Sequence, residues 1–142
     1  MPAKRICVID GQGGGIGATV IKYLKAAYGD SIEVIALGTN AIAAANMLRA
    51  GANKGASGEN AICFSVTQVE VIVGTIAITW ANAMLGEVTP AMAAAITSSL
   101  AIKLLLPLSQ EQIRIVGIIN EPLPHFVQRL VEREIKEVLN HV

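Results

Sequence analysis

Short apolar runs alternate with amphipathic segments along the chain, and this alternation predicts the order of its elements. The apolar runs are rich in Val and Ile and are too short for most helices, which is typical of buried strands. The predicted strands cover residues 4–10, 32–37, 61–65, 69–73, 101–106 and 114–119. Predicted helices cover residues 15–28, 76–85 and 90–99, and a last helix begins near residue 124.

Polar and glycine residues mark the ends of several predicted helices. Gly29 is placed to end the first helix in a left-handed conformation. Asn40 is placed to cap a helix of about ten residues that Gly51 closes. Thr89 and Pro90 are a hydroxyl cap followed by proline at the first helical position. The glycine-rich residues 51–60 are predicted to form a loop.

Alternating strands and helices predict one α/β domain covering residues 1–142. Successive strands joined by helices pair in parallel through right-handed crossovers. We therefore expect a Rossmann-like three-layer α/β/α fold with a mainly parallel sheet of about five or six strands.

A glycine-rich turn joins the first predicted strand to the first helix. Five of the seven residues from 11 to 17 are glycine. Glycines permit positive φ and remove side chains that would block a phosphate, while the free amides at a helix N-terminus attract an anion. The turn is therefore predicted to bind the phosphates of a nucleotide through Asp10, Gly11, Gln12, Gly13, Gly14, Gly15, Ile16 and Gly17.

Two readings of the turn fit a dinucleotide. Gly13-x-Gly15-x-x-Ala18 matches the dinucleotide fingerprint. Gly11-x-x-x-Gly15-Ile16-Gly17 resembles the turn of short-chain dehydrogenases/reductases, and the resemblance implies phosphate binding there. It does not extend to catalysis, because the Tyr-x-x-x-Lys pair of that family is absent. A P-loop is rejected because no Lys follows the last glycine.

The chain also resembles a small bacterial family of unknown function that carries an IDGQGGGIG signature near its amino terminus. The resemblance extends through residues 36–40, 50–53, 58–61 and 84–87 and covers roughly residues 4–117. It implies no activity.

Further candidates follow other strands, because ligands of open α/β sheets bind at the carboxyl ends of the strands. Gly38, Thr39 and Asn40 follow the second strand, where the usual acid for ribose hydroxyls is missing. They are interpreted either as ribose or phosphate ligands or as a helix cap. Gly74 and Thr75 follow the fourth strand and offer a small surface for a flat ring and a hydroxyl.

Acidic residues complicate this interpretation. Asp10 would repel a pyrophosphate unless its carboxylate is turned away, protonated or bridged by a cation. It is interpreted either as a cap of the turn through backbone amides or as a ligand of ribose hydroxyls or a cation. Glu87 is the only charge between Glu70 and Lys103, so an apolar neighbourhood could raise its pKa and make it a general acid or base. Its alternative is an exposed acid near a helix start. Weaker candidates are Asn82, Thr89, Asn120 and Glu121.

No catalytic residue is assigned, and no metal site is expected. The two histidines, His125 and His141, have no partner at metal-ligand spacing. Charges balance at 11 against 11, and no Lys or Arg lies between Lys54 and Lys103, which argues against a nucleic-acid partner. No apolar stretch is long enough to predict a membrane span.

Composition adds a prediction of self-association. The hydrophobic fraction is 53 %, above the usual range of about 45–50 %. A sheet buried on both faces accounts for part of this excess, and a homo-oligomer interface accounts for the rest. Cys7 and Cys63 lie in apolar runs as buried thiols, and a cytoplasmic location is expected.

Two functional hypotheses remain. The first is a nucleotide-binding domain, most simply for NAD or NADP, with an unknown reaction. The second is an oligomeric sensor or assembly protein that binds a nucleotide, coenzyme or phosphorylated metabolite without turnover.

Overall fold

Five parallel strands form a single sheet in the computed structural model, which describes residues 3–109 and 111–141. Met1 and Pro2, the first residues of the amino-terminal segment, lie outside that part. The strands are β1 (Lys4–Asp10), β2 (Ile32–Gly38), β3 (Lys54–Ser57), β4 (Val71–Thr75) and β5 (Ile102–Leu106), in the spatial order β3-β2-β1-β4-β5. This is the strand order of a Rossmann-like fold.

Helices cover both faces of the sheet. They are α1 (Gly15–Tyr28), α2 (Ala41–Arg49), α3 (Glu59–Ser65), α4 (Pro90–Ser98), α5 (Leu123–Arg129) and α6 (Ile135–Leu139), with a π-helical segment, Leu130–Glu134, between the last two. Short 3₁₀ helices lie at Gly29–Ser31 and Ile76–Thr79. Each described helix is too short or insufficiently apolar to cross a membrane.

Alternate side chains of the central strands pack into two separate hydrophobic cores, one on each face of the sheet. Ile6 and Val8 of β1 pack in a core with α1, α2 and the carboxyl-terminal helices. Cys7 and Ile9, on the other face of the same strand, pack in a core with α3, α4 and the 3₁₀ helix after β4. The α/β/α three-layer prediction is thereby confirmed.

The predicted helix ends are confirmed where a cap could be named. Asn40 Oδ1 accepts a hydrogen bond of 2.9 Å from the Ala43 amide at the start of α2. Thr89 Oγ1 accepts one of 3.1 Å from the Met92 amide at the start of α4. Gly29 follows α1 as predicted, but with φ of 51° and ψ of −129° it does not adopt the expected left-handed helical conformation.

Two neighbouring predictions in the middle of the chain are wrong. Residues 61–65 form the end of α3 rather than a strand, and only Ile62 among them is fully buried. Residues 54–57, predicted as loop, form the edge strand β3. All four residues of β3 are exposed, and β3 pairs with β2 through backbone hydrogen bonds. An apolar pattern therefore cannot reveal this strand.

The predicted strand at residues 114–119 is also wrong. This segment lies outside the sheet, and its apolar side chains are largely exposed. Seven residues, 107–113, separate it from β5, and a parallel crossover needs about a dozen. The predicted helix at residues 76–85 shortens to the 3₁₀ helix Ile76–Thr79 followed by turns. Cys7 is buried as predicted, but Cys63 lies on α3 and is partly exposed.

Candidate functional site

The glycine-rich turn lies at the carboxyl end of β1, between strands that lead in opposite directions across the sheet. After β1 the chain moves to β2 on one side, and the return to β4 lies on the other. The crevice at such a switch point is the usual ligand position in open α/β sheets. Gly14 precedes α1 with a φ of 73°, a left-handed conformation that favours glycine.

Asp10 caps the turn from inside. Its Oδ1 accepts a hydrogen bond of 2.8 Å from the Gly11 amide, and its Oδ2 accepts one of 2.8 Å from the Gly17 amide. The carboxylate is buried and satisfies one of the free amides in the first turn of α1. Among the roles considered for Asp10, these hydrogen bonds therefore show the capping role.

Glu87 reaches the same turn from the loop before α4. Its Oε1 accepts hydrogen bonds from the Gln12 amide at 2.8 Å, from Thr39 Oγ1 at 2.6 Å and from Asn40 Nδ2 at 2.8 Å. Asn40 Nδ2 also donates to the Gln12 carbonyl oxygen at 2.9 Å. This cluster joins the turn to the carboxyl end of β2, so that Thr39 and Asn40 do lie beside the turn.

The two carboxylates have pKa shifts of opposite sign. Burial raises the pKa of Asp10, and this effect outweighs its hydrogen bonds from Gly17 and Gly11. Burial also acts to raise the pKa of Glu87, but the hydrogen bonds from Thr39, Gln12 and Asn40 outweigh it and leave this pKa below the ordinary value. The expected raised pKa of Glu87 is therefore wrong, because the polar cluster stabilises its charged form.

Three amides of the turn remain available to a ligand. In the part of the chain that the structure describes, the Gly13, Gly15 and Ile16 amides find no hydrogen-bond acceptor. A Cβ atom added at Gly13 or Gly15 would have no neighbour within 4 Å, so both glycines face open space. These amides and the N-terminal end of the α1 dipole border the same open space, an arrangement that suits an anion.

A cleft of about 430 Å³ opens beside this turn, on the β4 and β5 side. Thr75, at the end of β4, is 5 % exposed, and its Oγ1 is buried without a hydrogen-bond partner among the described residues. A buried hydroxyl without a partner is costly unless a ligand or water satisfies it. The cleft is lined by Asp10, Gln12, Ile16, Thr75, Ala77, Met84, Leu85, Leu108, Ser109 and Glu111.

Other glycines of the predicted site are accounted for by packing. A Cβ at Gly17 would lie 2.9 Å from the Asp10 Cβ, and one at Gly38 would lie 2.6 Å from the Ala44 nitrogen. A Cβ at Gly74 would lie 2.8 Å from the Ile9 carbonyl oxygen. A contact between Gly74 and a flat ring stays a prediction.

The loop that carries Glu87 has an unusual backbone. Asn82, Met84 and Leu85 adopt φ values of 67°, 57° and 58°, which are uncommon for residues with side chains. Glu111 Oε1 accepts a hydrogen bond of 3.0 Å from the Met84 amide and ties this loop to the other wall of the cleft. Leu85 is 98 % exposed at the loop tip.

The remaining sequence candidates lie apart from the turn. Thr89 caps α4 and donates a hydrogen bond to Glu59 Oε1. Glu121 forms an ion pair with Arg129 and lies 4.0 Å from His125 Nδ1 instead of ending a sixth strand, and Asn120 is exposed in the same segment. No group of three His, Cys, Asp or Glu side chains in residues 3–109 and 111–141 is placed to hold a metal.

Sequence reasoning missed the far wall of the cleft. Leu108, Ser109 and Glu111 follow β5 and line it together with Met84. Ser109 and Glu111 follow a strand end, the same signal that selected Thr39 and Thr75.

Comparison with models of protein families gives a match that spans nearly the whole chain. A family model described as Domain of unknown function (DUF3842) matches residues 5–140. Comparison with curated proteins gives no match.

Proposed function

We propose that this chain, which belongs to the family described as Domain of unknown function (DUF3842), binds a nucleotide with its phosphates at the Gly11–Gly17 turn. Membership of that family brings no activity. The proposal rests on the turn, the cleft beside it and the polar cluster at the end of β2.

The observation that carries the proposal is a set of three amides, at Gly13, Gly15 and Ile16, that find no hydrogen-bond acceptor among the described residues. They lie at the start of α1, a helix of 14 residues, and Gly13 and Gly15 border open space. Independently, Thr75 lines the adjoining cleft, and its buried hydroxyl finds no hydrogen-bond partner among the described residues. An anionic group on the amides and a polar atom near Thr75 would satisfy both.

Asp10 supports this proposal by fixing the shape of the turn. Its two hydrogen bonds hold Gly11 and Gly17 before any ligand arrives, so less conformational freedom is lost on binding. The Asp10 carboxylate and the phosphate would use different amides.

NAD or NADP is the nucleotide that best matches these features. In the usual pose the pyrophosphate lies on the turn, one ribose lies at the end of β2, and the nicotinamide half lies toward β4. The Glu87, Thr39 and Asn40 cluster corresponds to the first ribose position. The cleft near Thr75, with apolar walls at Ile16 and Leu108, corresponds to the nicotinamide half.

Thermal unfolding against a ligand panel tests this proposal. We expect NAD, NADP or another adenine nucleotide, flavin or coenzyme A to raise the melting temperature in a concentration-dependent way. Mass spectrometry of the denatured protein as purified would identify any nucleotide that it retains. An unmoved melting temperature across the whole panel would refute nucleotide binding.

The variant Gly15→Asp sharpens the test. An acid at the first position of α1 suits the helix but places negative charge where the phosphate would lie. We expect it to abolish binding while the fold is kept. Ala91→Asp, which places an acid in the first turn of α4 on the other face of the sheet, is the matched control. Unchanged affinity in Gly15→Asp would contradict the assigned turn.

A specific observation favours the oligomeric assembly of the second candidate, a sensor or assembly protein that binds a nucleotide, coenzyme or phosphorylated metabolite without turnover. Residues 113–119 carry several exposed apolar side chains next to the open edge of the sheet at β5. Clustered exposed apolar residues mark interaction surfaces. Spectroscopic turnover of a bound cofactor separates the two candidates, because an oxidoreductase changes nicotinamide absorbance with a substrate and a sensor does not.

A further inference from the structure

Glu87 occupies a position that the dinucleotide fingerprint normally gives to a residue of β2. The usual acid that binds ribose hydroxyls follows the second strand. Here that strand ends in Gly38, and Thr39 and Asn40 follow it without a charge. Glu87 arrives instead from the loop before α4, and its Oε1 lies 2.6 Å from Thr39 Oγ1.

The same carboxylate lies over the turn. Its Oε1 accepts a hydrogen bond from the Gln12 amide, and a Cβ added at Gly11 would lie 3.0 Å from that oxygen. Glu87 thus bridges the turn and the end of β2, the two parts between which a dinucleotide ribose lies. In the described part of the chain, no group donates a hydrogen bond to Glu87 Oε2, which leaves this oxygen as an acceptor.

We infer that Glu87 binds the ribose hydroxyls and selects NAD over NADP. This inference rests on the proposed function and deepens it. Two hydroxyl donors suit an ionised carboxylate, whereas the 2′-phosphate of NADP would bring a second negative group against it. The selecting acid thus comes from a loop rather than from the second strand.

The charges around Glu87 fit this assignment. Three donors hold Oε1, and they leave the Glu87 pKa below its ordinary value, so the group is charged at neutral pH. Within the described residues, no Lys or Arg donates a hydrogen bond to Glu87, Thr39 or Asn40. Arg49 reaches the turn indirectly, since its Nη2 donates to Asn46, whose Nδ2 donates to the Gly13 carbonyl oxygen.

Calorimetric titration of the wild-type chain with NAD and NADP tests the inference. We expect NAD to bind about tenfold more tightly or better, because the 2′-phosphate of NADP would bring a second negative group against Glu87. Glu87→Gln removes the charge at nearly the same size, so it should weaken NAD binding and narrow the NAD-to-NADP ratio. Glu59→Gln, which removes a carboxylate bonded to Thr89, should leave the ratio unchanged.

The outcomes separate this inference from nucleotide binding itself. If the wild type binds NADP as tightly as NAD or more tightly, Glu87 does not select NAD. An unchanged ratio of NAD to NADP affinity in folded Glu87→Gln leads to the same conclusion. Neither result contradicts phosphate binding at the turn. The wild-type ratio decides the question even if the variant does not fold. Pyrophosphate and ADP complete the panel. Binding of these without NAD overturns the inference alone, and binding of none overturns both proposals.

Discussion

Asp10 Oδ2 accepts a hydrogen bond of 2.8 Å from the Gly17 amide, which ties the last residue of β1 to the first turn of α1. The same carboxylate holds the Gly11 amide through Oδ1. A side chain therefore closes the glycine-rich turn at both ends. The amides of Gly13, Gly15 and Ile16 lie between these two points, and they find no hydrogen-bond acceptor in the described part of the chain.

Removal of this cap should destabilise the fold. Asp10→Ala leaves the Gly11 and Gly17 amides unpaired in a buried position. An unsatisfied buried donor costs about 1–3 kcal/mol, so we expect the free energy of unfolding to fall by at least about that much. Urea denaturation measures it. Asp30→Ala, at an exposed position after α1, is the control, and equal stability of the two variants would contradict the capping role.

Two glycines of the turn should respond oppositely to alanine. A Cβ at Gly17 would lie 2.9 Å from Asp10 Cβ on the rigid strand, so Gly17→Ala should destabilise the fold by about 1–3 kcal/mol. Gly15→Ala meets nothing within 4 Å and gains helix propensity, so its stability should be equal or up to about 1 kcal/mol higher. Its methyl group would intrude on the phosphate space and weaken nucleotide binding.

Thermal unfolding with and without the nucleotide measures both effects. The contrast is informative because each variant controls for the other. If Gly15→Ala binds as tightly as the wild type while Gly17→Ala is fully stable, both the packing and the binding assignments are wrong.

Acid should weaken the contribution of Glu87 to stability. Its folded-state pKa is lowered by Thr39, Gln12 and Asn40, so its stabilising effect is complete above the unfolded value of about 4.3. The effect is lost as the pH falls through the lower folded value. Urea midpoints measured from neutral pH down to about pH 3.5 should fall less steeply in Glu87→Gln than in the wild type.

Asp10 should act in the other direction. Burial raises its folded pKa, so its contribution to stability is largest below the unfolded value of about 3.9 and declines as the pH rises through the raised folded value. For the Glu87 prediction, urea midpoints that fall equally steeply with pH in Glu87→Gln and in the wild type would show that the pKa of Glu87 is not lowered.

The sequence predicts the parts of this fold that rest on apolar periodicity and on local caps. β1 ends at Asp10 as expected, and Asn40 and Thr89 begin their helices as expected, because each signal lies within a few residues of its effect. β3 could not be predicted, because its four residues are exposed and pair with β2 through the backbone.

The candidate site shows the same division. The glycine-rich turn can be predicted because its glycines, the preceding strand and the following helix are contiguous in the sequence. The contact between Glu87 and Thr39 spans 48 residues and depends on a loop with three left-handed non-glycine residues, which no local pattern indicates. The Thr75 hydroxyl, which has no hydrogen-bond partner among the described residues, is likewise a result of tertiary packing and not of residue spacing in the sequence.

The exposed apolar segment at residues 113–119 should mediate self-association. Val116 is 100 % exposed and Ile119 is 78 % exposed, so a second copy that covers them would remove apolar surface from water. We expect sedimentation equilibrium to give a mass well above the 14.8 kDa of one chain. The double variant Val116→Asp with Ile119→Asp should sediment close to one chain and keep its helical circular dichroism. Leu100→Asp is the control, because it charges an equally exposed apolar residue just before β5. A monomeric wild type, or an oligomer that the double variant leaves intact, would exclude this segment as the interface.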